Sequence, residues 1–346
     1  MTTLLSQPAD APAVAIRAKK RGGGVWRSFL SNRKANVGFA IFFLLLVMAA
    51  FPSLFTGVDD PLAPARYMPR LPPSADHWLG TTSLGQDIWA LFVYGAREPL
   101  IIALVAGGLA TAISVVVGVS AAYLGGVADD VISFVTNVVL VIPTFPLVIV
   151  LSAYAGKPTL TVLISVLVVT GWSYGANQMR AQALSLRNRD FLESARVRGE
   201  RRSYIIVCEM LPTMVSLIIA SFLGAALFSV LNAAGLQFLG LGDPNSNGWG
   251  TMLYWADSQS ALENGAEWWA IAPAIGIASL GVAFALMNYA FDEISNPALR
   301  PVRRQRAKKL TGRLRTAPTA PGSASSVSSA SSPGSAVGPS DPIGGE

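Results

Sequence analysis

Residues 193–212 read ESARVRGERRSYIIVCEMLP and place four arginines in a chain that is otherwise apolar. They lie between two long apolar runs, at about 159–176 and 213–236, whose central parts contain no Asp, Glu, Lys or Arg. A helix of roughly 20 apolar residues is long enough to cross the hydrocarbon core of a bilayer. Residues 193–212 are therefore predicted to connect two membrane spans.

The rest of the chain contains four more apolar runs of this kind. Of the 346 residues, 52% are apolar and 13% are charged, against about 25% charged in an average soluble domain. Buried helices of soluble proteins are usually shorter and amphipathic, so we predict an all-α membrane protein. The first run is too long, and follows too long a basic lead-in, to be a signal peptide. The six predicted spans lie at about 37–55, 99–124, 131–154, 159–176, 213–236 and 269–291.

The lysines and arginines predict the orientation of the spans, because cytoplasmic loops of membrane proteins are enriched in them. With the N-terminus inside, all but four of the 26 basic residues are cytoplasmic. We therefore predict an N-in/C-in topology and interpret the net charge of +6 as an orientation signal, not a nucleic-acid-binding patch. The four basic residues predicted to lie outside are Arg66, Arg70, Arg97 and Lys157.

The two ends of the chain differ in composition from the six-span part at 36–302. Residues 1–35 are basic, and we expect them to be largely disordered and to lie on anionic lipid. Residues 303–346 are first basic and then rich in Ser, Pro, Gly and Ala. Such a composition cannot bury enough apolar surface to offset the entropy of ordering. We expect a disordered cytoplasmic tail.

The chain has few of the residues that catalysis and ion-coupled transport need. A single cysteine, Cys208, and a single histidine, His77, argue against a disulfide, a metal site or a Ser-His-Asp triad. His77 is expected to be a solvated loop residue. The spans lack the ionisable groups with which secondary carriers bind a coupling ion, and the chain lacks a Gly-x-x-x-x-Gly-Lys-Ser/Thr phosphate loop.

These features predict a pore that takes its energy from another polypeptide. We expect no catalytic residue, no metal and no cofactor in this chain. Two alternatives are disfavoured. A stand-alone secondary carrier or channel would need charges at membrane depth. An intramembrane enzyme would need a Ser/His dyad, an Asp pair or a metal cluster in the spans, and none is present.

Small residues and prolines within the spans predict how the helices pack. Glycine and alanine pairs four residues apart allow close helix approach. Two prolines in the third span favour a kink, and the sequence leaves open whether that helix lines a translocation path. The small pairs are Gly118 with Ala122 and Gly171 with Gly175, and the prolines are Pro143 and Pro146.

The basic connection itself has a helical pattern. Residues 180–199 favour a helix, in which Glu193 is spaced to pair with Arg189 and Arg196. Gly199 suits the left-handed position that ends a helix. A second helix can follow, with Pro212 at the start of the fifth span. Small side chains at Ser194 and Ala195 would let a neighbouring surface approach closely.

This arrangement resembles the signature loop of integral-membrane subunits of ABC importers, Glu-Ala-Ala-x3-Gly followed twelve residues later by Leu-Pro. Two positions depart from the pattern, with serine for the first alanine and Glu209 where an apolar residue is usual. The resemblance implies a type I ABC importer permease-like bundle, whose cytoplasmic coupling helix docks in a groove of an ATP-binding subunit. The matching positions are Glu193, Ser194, Ala195, Gly199, Leu211 and Pro212.

The loop after the first span, HWLGTTSLGQDIWALFVYGAREPL (77–100), resembles a signature of the second permease subunit of oligopeptide/dipeptide/nickel-type importers. Thr82 and Gln86 depart from it. Two further segments, LQFLGLGDPNSNGWGTML (236–253) and FDEISNPALR (291–300), resemble other parts of the same subunit. The outer-loop positions that match are Gly80, Thr81, Gly85, Asp87, Gly95 and Arg97, together with Ala96.

The resemblance also implies partners, a location and a cargo. Expected partners are a second homologous permease subunit, cytoplasmic ATP-binding subunits that hold ATP-Mg, an extracytoplasmic solute-binding protein and membrane lipids, with no nucleic acid. The location is the cytoplasmic membrane of a prokaryote. The expected cargo is an oligopeptide or dipeptide. Gln86 and Asn137 depart from the peptide pattern, so oligosaccharides and nickel stay open.

The predicted outer loop at 237–268 contains three tryptophans, is followed directly by a fourth, has no basic residue, and suits a docking role. Trp268 and Trp269 are expected to belong to the aromatic belt at the membrane interface. Residues 240–250 either lie over the bundle or re-enter toward the pore mouth, and the sequence does not choose. The remaining tryptophans and the acidic residues of this loop are Trp249, Trp255, Asp243, Asp257, Glu263 and Glu267.

Overall fold

The computed structural model describes residues 33–154 and 159–295. In these two ranges it contains helices, turns and one isolated antiparallel bridge between Thr81 and Asp87, with no β-strand. The all-α prediction is therefore confirmed for the described residues. The predictions for the first 32 residues, for Lys157, for the tail at 303–346 and for the end of the 291–300 segment lie outside them.

Ten α-helices of eight or more residues form the described structure. Short elements connect some of them: a 3₁₀ turn at Pro52–Leu54, a helical turn at Arg202–Tyr204 and a π-helix at Ile205–Met210. The helices are α1 Arg33–Ala50, α2 Ile88–Gly95, α3 Arg97–Leu124, α4 Gly126–Val141, α5 Thr144–Tyr154, α6 Leu160–Arg187, α7 Asp190–Val197, α8 Leu211–Phe238, α9 Trp249–Ser258 and α10 Trp268–Ser295.

Five described helical segments are long and apolar enough to cross a membrane, and a bent pair counts as a sixth if it is one span. The pair is α4 with α5, which meet at an angle of 88°. Pro143 and Pro146 lie at this junction, so the predicted kink is confirmed. The five segments are Arg33–Ala50, Ile88–Leu124, Leu160–Arg187, Arg202–Phe238 and Trp268–Phe291.

Two helices end at positions that differ from the predicted span limits. The first helix ends at Ala50 rather than near residue 55, because Pro52 begins a 3₁₀ turn and cannot continue the α-helical hydrogen bonding. The helix of the fourth span extends beyond its predicted limit near 176. This helix, α6, continues to Arg187, so its last turns belong to the basic connection rather than to the apolar run.

The long helix α3 lies at the centre of the packing, against α6 and α8, while α10 packs between α8 and α1. The predicted close approach at Gly118 is confirmed: a Cβ atom there would lie 2.8 Å from the Cβ of Met179 and 2.9 Å from the backbone N of Arg180. At Gly107 an added Cβ would lie 2.8 Å from the Cα of Ala226. Glycines therefore set the distance of α3 from both neighbours.

Hydrogen bonds and ion pairs show which connections between helices lie together at each end of the bundle. At one end, Arg97 Nε donates to the carbonyl of Ala49 over 2.7 Å, and Trp249 Nε1 donates to the carbonyl of Phe92 over 2.9 Å. At the other end, Arg180, two turns before the end of α6, donates to Asp129 in the first turn of α4. We refer to these as the outer-loop end and the basic end.

Candidate functional site

The helix of the basic connection, α7, is held to the bundle by one narrow face. Leu192 and Ala195 are both 0% exposed, and they belong to a core cluster that includes Met179 and Met210. Three residues apart, they lie on the same side of the helix. The rest of α7 is exposed, including Glu193, Ser194 and Val197. A short helix with a free polar face therefore lies at the surface of the basic end.

The turn after α7 has the conformation predicted for Gly199. Its φ is +76°, the left-handed region that residues with a Cβ rarely adopt. Gly199 N donates to the carbonyl of Arg196, and Glu200 N donates to the carbonyl of Ala195 over 3.2 Å. These two bonds form a Schellman motif, which satisfies carbonyls at the helix end. A Cβ on Gly199 would meet no atom within 4 Å, so backbone conformation and not space requires the glycine.

One continuous helix over 180–199 is not formed. α6 ends at Arg187, and Arg189 has an extended backbone with φ −82° and ψ 143° before α7 begins at Asp190. The sequence does contain the signal, since Asn188 and Asp190 are residue types that favour helix ends over helix interiors.

The predicted ion pairs of Glu193 are also wrong. Arg189 is the N-cap of α7, and its carbonyl accepts from Glu193 N over 3.2 Å. The described residues nevertheless show no salt bridge from Glu193 to Arg189 or to Arg196. Arg196 instead donates to the carbonyl of Arg187 over 3.1 Å and lies over the ring of Tyr123. Glu193 is exposed and has no ion pair within the part of the chain that the structure describes.

The connection to α8 is helical from Arg202 onward. Arg202–Tyr204, the π-helix Ile205–Met210 and α8 follow one another without a break, and Leu211 and Pro212 are the first residues of α8 as predicted. Proline clashes with the carbonyl four residues before it, and the wider π-turn precedes it here. Glu209, the unusual acid, faces Arg198 at 3.7 Å, a pair that links this π-helix to the turn.

At the outer-loop end, the signature residues build the loop itself. Gly80 and Gly85 have φ of +73° and +70°, and both conformations need glycine. Thr81, which is 0% exposed, donates from Oγ1 to the carbonyl of Met68 over 2.7 Å and accepts from the backbone N of Leu71 over 2.8 Å. These positions hold the loop at 67–87 together, which is an architectural role.

His77 is not solvated, contrary to the prediction. It is 9% exposed, its Nδ1 lies 2.8 Å from Oδ2 of Asp87, and its ring packs against Tyr67. Asp87 also accepts from the backbone N of Ala90 and so caps α2. The sequence did not reveal this pair, because the turns at Gly80 and Gly85 bring the two residues together.

Gly95 and Arg97 complete the set of outer-loop signature residues. A Cβ on Gly95 would lie 2.6 Å from the carbonyl oxygen of Asn247. The glycine therefore allows the loop at 239–248 to pack closely against α2. Trp249 is 0% exposed and Trp269 is 4% exposed, and both belong to the core. The aromatic-belt prediction is therefore wrong for Trp269, which faces protein. Residues 240–248 lead into α9, and the carbonyl of Asn247 lies against Gly95.

A cavity of about 630 Å³ lies in the middle of the bundle, between α3, α4, α6, α8 and α10. The sequence did not predict it, because its walls come from residues as distant as Ser114 and Asn288. None of the residues that line it is charged. Beside apolar groups such as Leu140 and Phe228, the polar lining residues are Ser114, Thr170, Ser173, Tyr174, Gln178, Ser221 and Asn288.

The described residues contain no group of three His, Cys, Asp or Glu side chains that could hold a metal ion. The arrangement found instead has three parts: an outer loop folded on the bundle, a neutral polar cavity at mid-depth, and an exposed helix at the basic end. Together with the apolar spans, these parts define a multi-pass membrane protein of the transport class.

Comparison with known proteins gives the family. Residues 114–296 match the family described as the binding-protein-dependent transport system inner membrane component. Residues 21–73 match the N-terminal TM domain of oligopeptide transport permease C. The chain belongs to the family of binding-protein-dependent transport system inner membrane components.

Curated relatives cover most of the chain. It is 31% identical over 283 residues to the oligopeptide transport system permease protein OppC of Mycobacterium bovis. The aligned region covers 81% of this chain and 96% of that relative. The chain is 30% identical to OppC of Bacillus subtilis, over 71% of this chain and 82% of the relative. The dipeptide transport system permease protein DppC of Bacillus subtilis is also 30% identical, and the aligned region covers 80% of this chain and 85% of that relative.

Proposed function

We propose that this chain is the permease subunit of an ATP-driven peptide importer and forms half of the path through the membrane. The observation that carries this proposal is the position of α7. It is exposed at the basic end, and it leads through the Gly199 turn into one continuous helical segment, 202–238, that lines the cavity. A force applied to α7 therefore acts on a wall of the cavity.

The partner that moves α7 is an ATP-binding subunit on the cytoplasmic side. In this proposal Glu193, Ser194 and the turn at Gly199 contact it, while Leu192 and Ala195 keep α7 attached to the bundle. ATP-Mg binds and is hydrolysed on that partner, and this chain is non-catalytic. The carboxylate of Glu193 supports this assignment, since an exposed acid with no ion pair to a described residue is available to a basic or N–H donor group.

A second, homologous permease subunit covers the open side of the cavity. Tyr174 lines the cavity and is 66% exposed, and Val169 on the same helix is 59% exposed. Exposed residues at mid-depth on a cavity-lining helix suit a path that is completed by another polypeptide. The remaining apolar surface of the spans contacts lipid.

A solute-binding protein docks at the outer-loop end, which we place outside the cytoplasm by the positive-inside rule. The described part of the loop at 237–268 carries exposed acids such as Asp257 and Glu263 and no basic residue. The basic N-terminal segment, 1–35, and the tail, 303–346, are assigned to the cytoplasm on the same charge argument.

Peptides are the cargo that the relatives support best, since OppC and DppC are named for oligopeptide and dipeptide transport. The neutral lining of the cavity fits a cargo whose common feature is the amide backbone. Nickel, oligosaccharides and a stand-alone carrier are the other outcomes that the experiment distinguishes.

The test uses the complete transporter, with both permeases and the ATP-binding subunits, reconstituted in liposomes with its binding protein. We expect ATP-dependent uptake of trialanine, and none from this chain alone. Glu193→Lys should reduce both uptake and copurification of the ATP-binding subunits, whereas Glu263→Lys at the opposite end should leave copurification unchanged. Uptake of nickel or an oligosaccharide but no peptide, or full coupling in Glu193→Lys, would refute the proposal.

A further inference from the structure

Hydroxyl groups in the helices of this protein usually bond to their own helix. Thr111, Ser114, Ser165 and Thr170 each donate to the carbonyl four residues earlier. Such a bond uses the one O–H donor of the hydroxyl, so only its acceptor lone pairs remain for a ligand.

Ser173 in α6 behaves differently. It is 3% exposed and lines the cavity, yet its hydroxyl makes no hydrogen bond to another described residue. A hydroxyl at the wall of a cavity whose donor and acceptor sites are both unused can bind a polar group of a ligand.

Two more free polar groups line the same cavity. The Ser221 hydroxyl on α8 and the Gln178 amide on α6 make no hydrogen bond to a described residue. A Cβ on Gly175 would lie 3.0 Å from Ser221 Oγ, so this glycine admits the Ser221 hydroxyl to the helix that carries the other two groups. Three free donor and acceptor groups, on two facing helices, therefore line one cavity.

We propose that this cavity is a transit site for the amide backbone of the cargo, with Ser173, Gln178 and Ser221 as its hydrogen-bonding groups. Hydroxyls and a carboxamide can each donate and accept, which matches the N–H and C=O groups of a peptide. Because the lining carries no charge, the site binds peptides with acidic, basic and neutral side chains alike. This inference rests on the proposed function and adds the chemistry of the path.

The first experiment introduces a charge at Gln178 with the variant Gln178→Glu. This position is partly exposed, and glutamate has the same shape as glutamine. The reconstituted transporter takes up trialanine, Ala-Glu-Ala and Ala-Lys-Ala, and each rate is divided by that of the wild type with the same peptide. A like charge in the site should slow a peptide by about fivefold relative to one of opposite charge, since the site is only partly screened. Gln178→Glu should disfavour Ala-Glu-Ala, and Gln178→Lys should disfavour Ala-Lys-Ala.

The reciprocal pattern separates a binding role from a structural one, because a folding defect slows all three peptides by the same factor. An equal change for all three, or none, overturns the transit site even when the wild type transports peptides normally. A wild type that takes up no tripeptide at all overturns the proposed function, and this inference with it.

A second experiment removes the hydroxyls. Ser173→Ala combined with Ser221→Ala should lower trialanine uptake several-fold, while ATP hydrolysis stimulated by the loaded binding protein continues. The matched control is Ser165→Ala, on the same helix, whose hydroxyl already bonds to the carbonyl of Thr161 over 2.8 Å. Equal uptake in the control and the double variant would contradict the assignment of the two hydroxyls.

Discussion

Asp129 and Arg180, which are 51 residues apart in the sequence, form a bidentate ion pair between α4 and α6. Arg180 Nε lies 2.6 Å from Oδ1 of Asp129, and Nη2 lies 2.8 Å from Oδ2. The Asp129 side chain is 12% exposed and that of Arg180 is 31% exposed. The pair fixes the start of the bent helix pair to α6 near the segment that leads to α7.

We predict that Asp129→Asn weakens the coupling of ATP hydrolysis to transport. The change removes a charge-assisted, bidentate contact of the kind that stabilises by about 1.5–3 kcal/mol, and the start of α4 then moves independently of α6. The measurement is the number of trialanine molecules taken up per ATP hydrolysed, which should fall.

The neighbouring exposed acid provides the control for this ion pair. Asp130→Asn makes the same chemical change without touching Arg180, and it should behave as the wild type. Exchanging the two partners, Asp129→Arg with Arg180→Asp, should restore part of the ratio. An unchanged ratio in Asp129→Asn would show that α4 and α6 need no such link.

Gly199 gives a prediction about backbone conformation alone. A residue with a Cβ pays about 1–2 kcal/mol to adopt a left-handed conformation, and no neighbouring atom obstructs a side chain here. Gly199→Val should therefore disturb the turn and reduce copurification of the ATP-binding subunits. Gly199→Asn should have a clearly smaller effect, because asparagine tolerates this conformation better. Equal losses in the two variants would point to a direct contact with Gly199 instead of the turn.

The attachment of α7 by two side chains predicts how it can be loosened. Leu192→Ala removes a fully buried side chain, a change that costs roughly 2–5 kcal/mol in well-packed cores. Ala195 and the contacts of Arg196 with Arg187 and Tyr123 are then left to hold α7. Trypsin should then cut faster after Arg196 and Arg198 in the purified transporter. Ser194→Ala loses only the bond to the Asp190 carbonyl and should digest at the wild-type rate. Similar digestion of both variants would mean that other contacts hold α7.

The sequence was sufficient for the features that local chemistry determines. Runs of apolar residues located the long helices, two prolines located the 88° bend, and the glycine at 199 was recognised as a left-handed turn. It was not sufficient where partners come from distant parts of the chain. The pairing of Asp129 with Arg180, the burial of His77 against Asp87 and the cavity all depend on how helices are placed in space.

The orientation of the bundle can be measured with the single cysteine. Cys208 is exposed on the π-helix at the basic end. Because it is the only cysteine in the chain, the wild type can be labelled without first replacing other cysteines. If the charge argument is right, a membrane-impermeant maleimide labels this chain, expressed without its ATP-binding partners, in inside-out vesicles and not in intact spheroplasts.

The variant Cys208→Ser with Glu263→Cys moves the thiol to an exposed position in the loop at the opposite end. Its labelling should show the reverse pattern, in spheroplasts and not in inside-out vesicles. A reporter that is active only outside the cytoplasm should agree, working when fused near residue 260 and failing after 305. Labelling of Cys208 from the outside would invert the topology. It would also remove the basis for placing the ATP-binding subunits at α7, because ATP is available only in the cytoplasm.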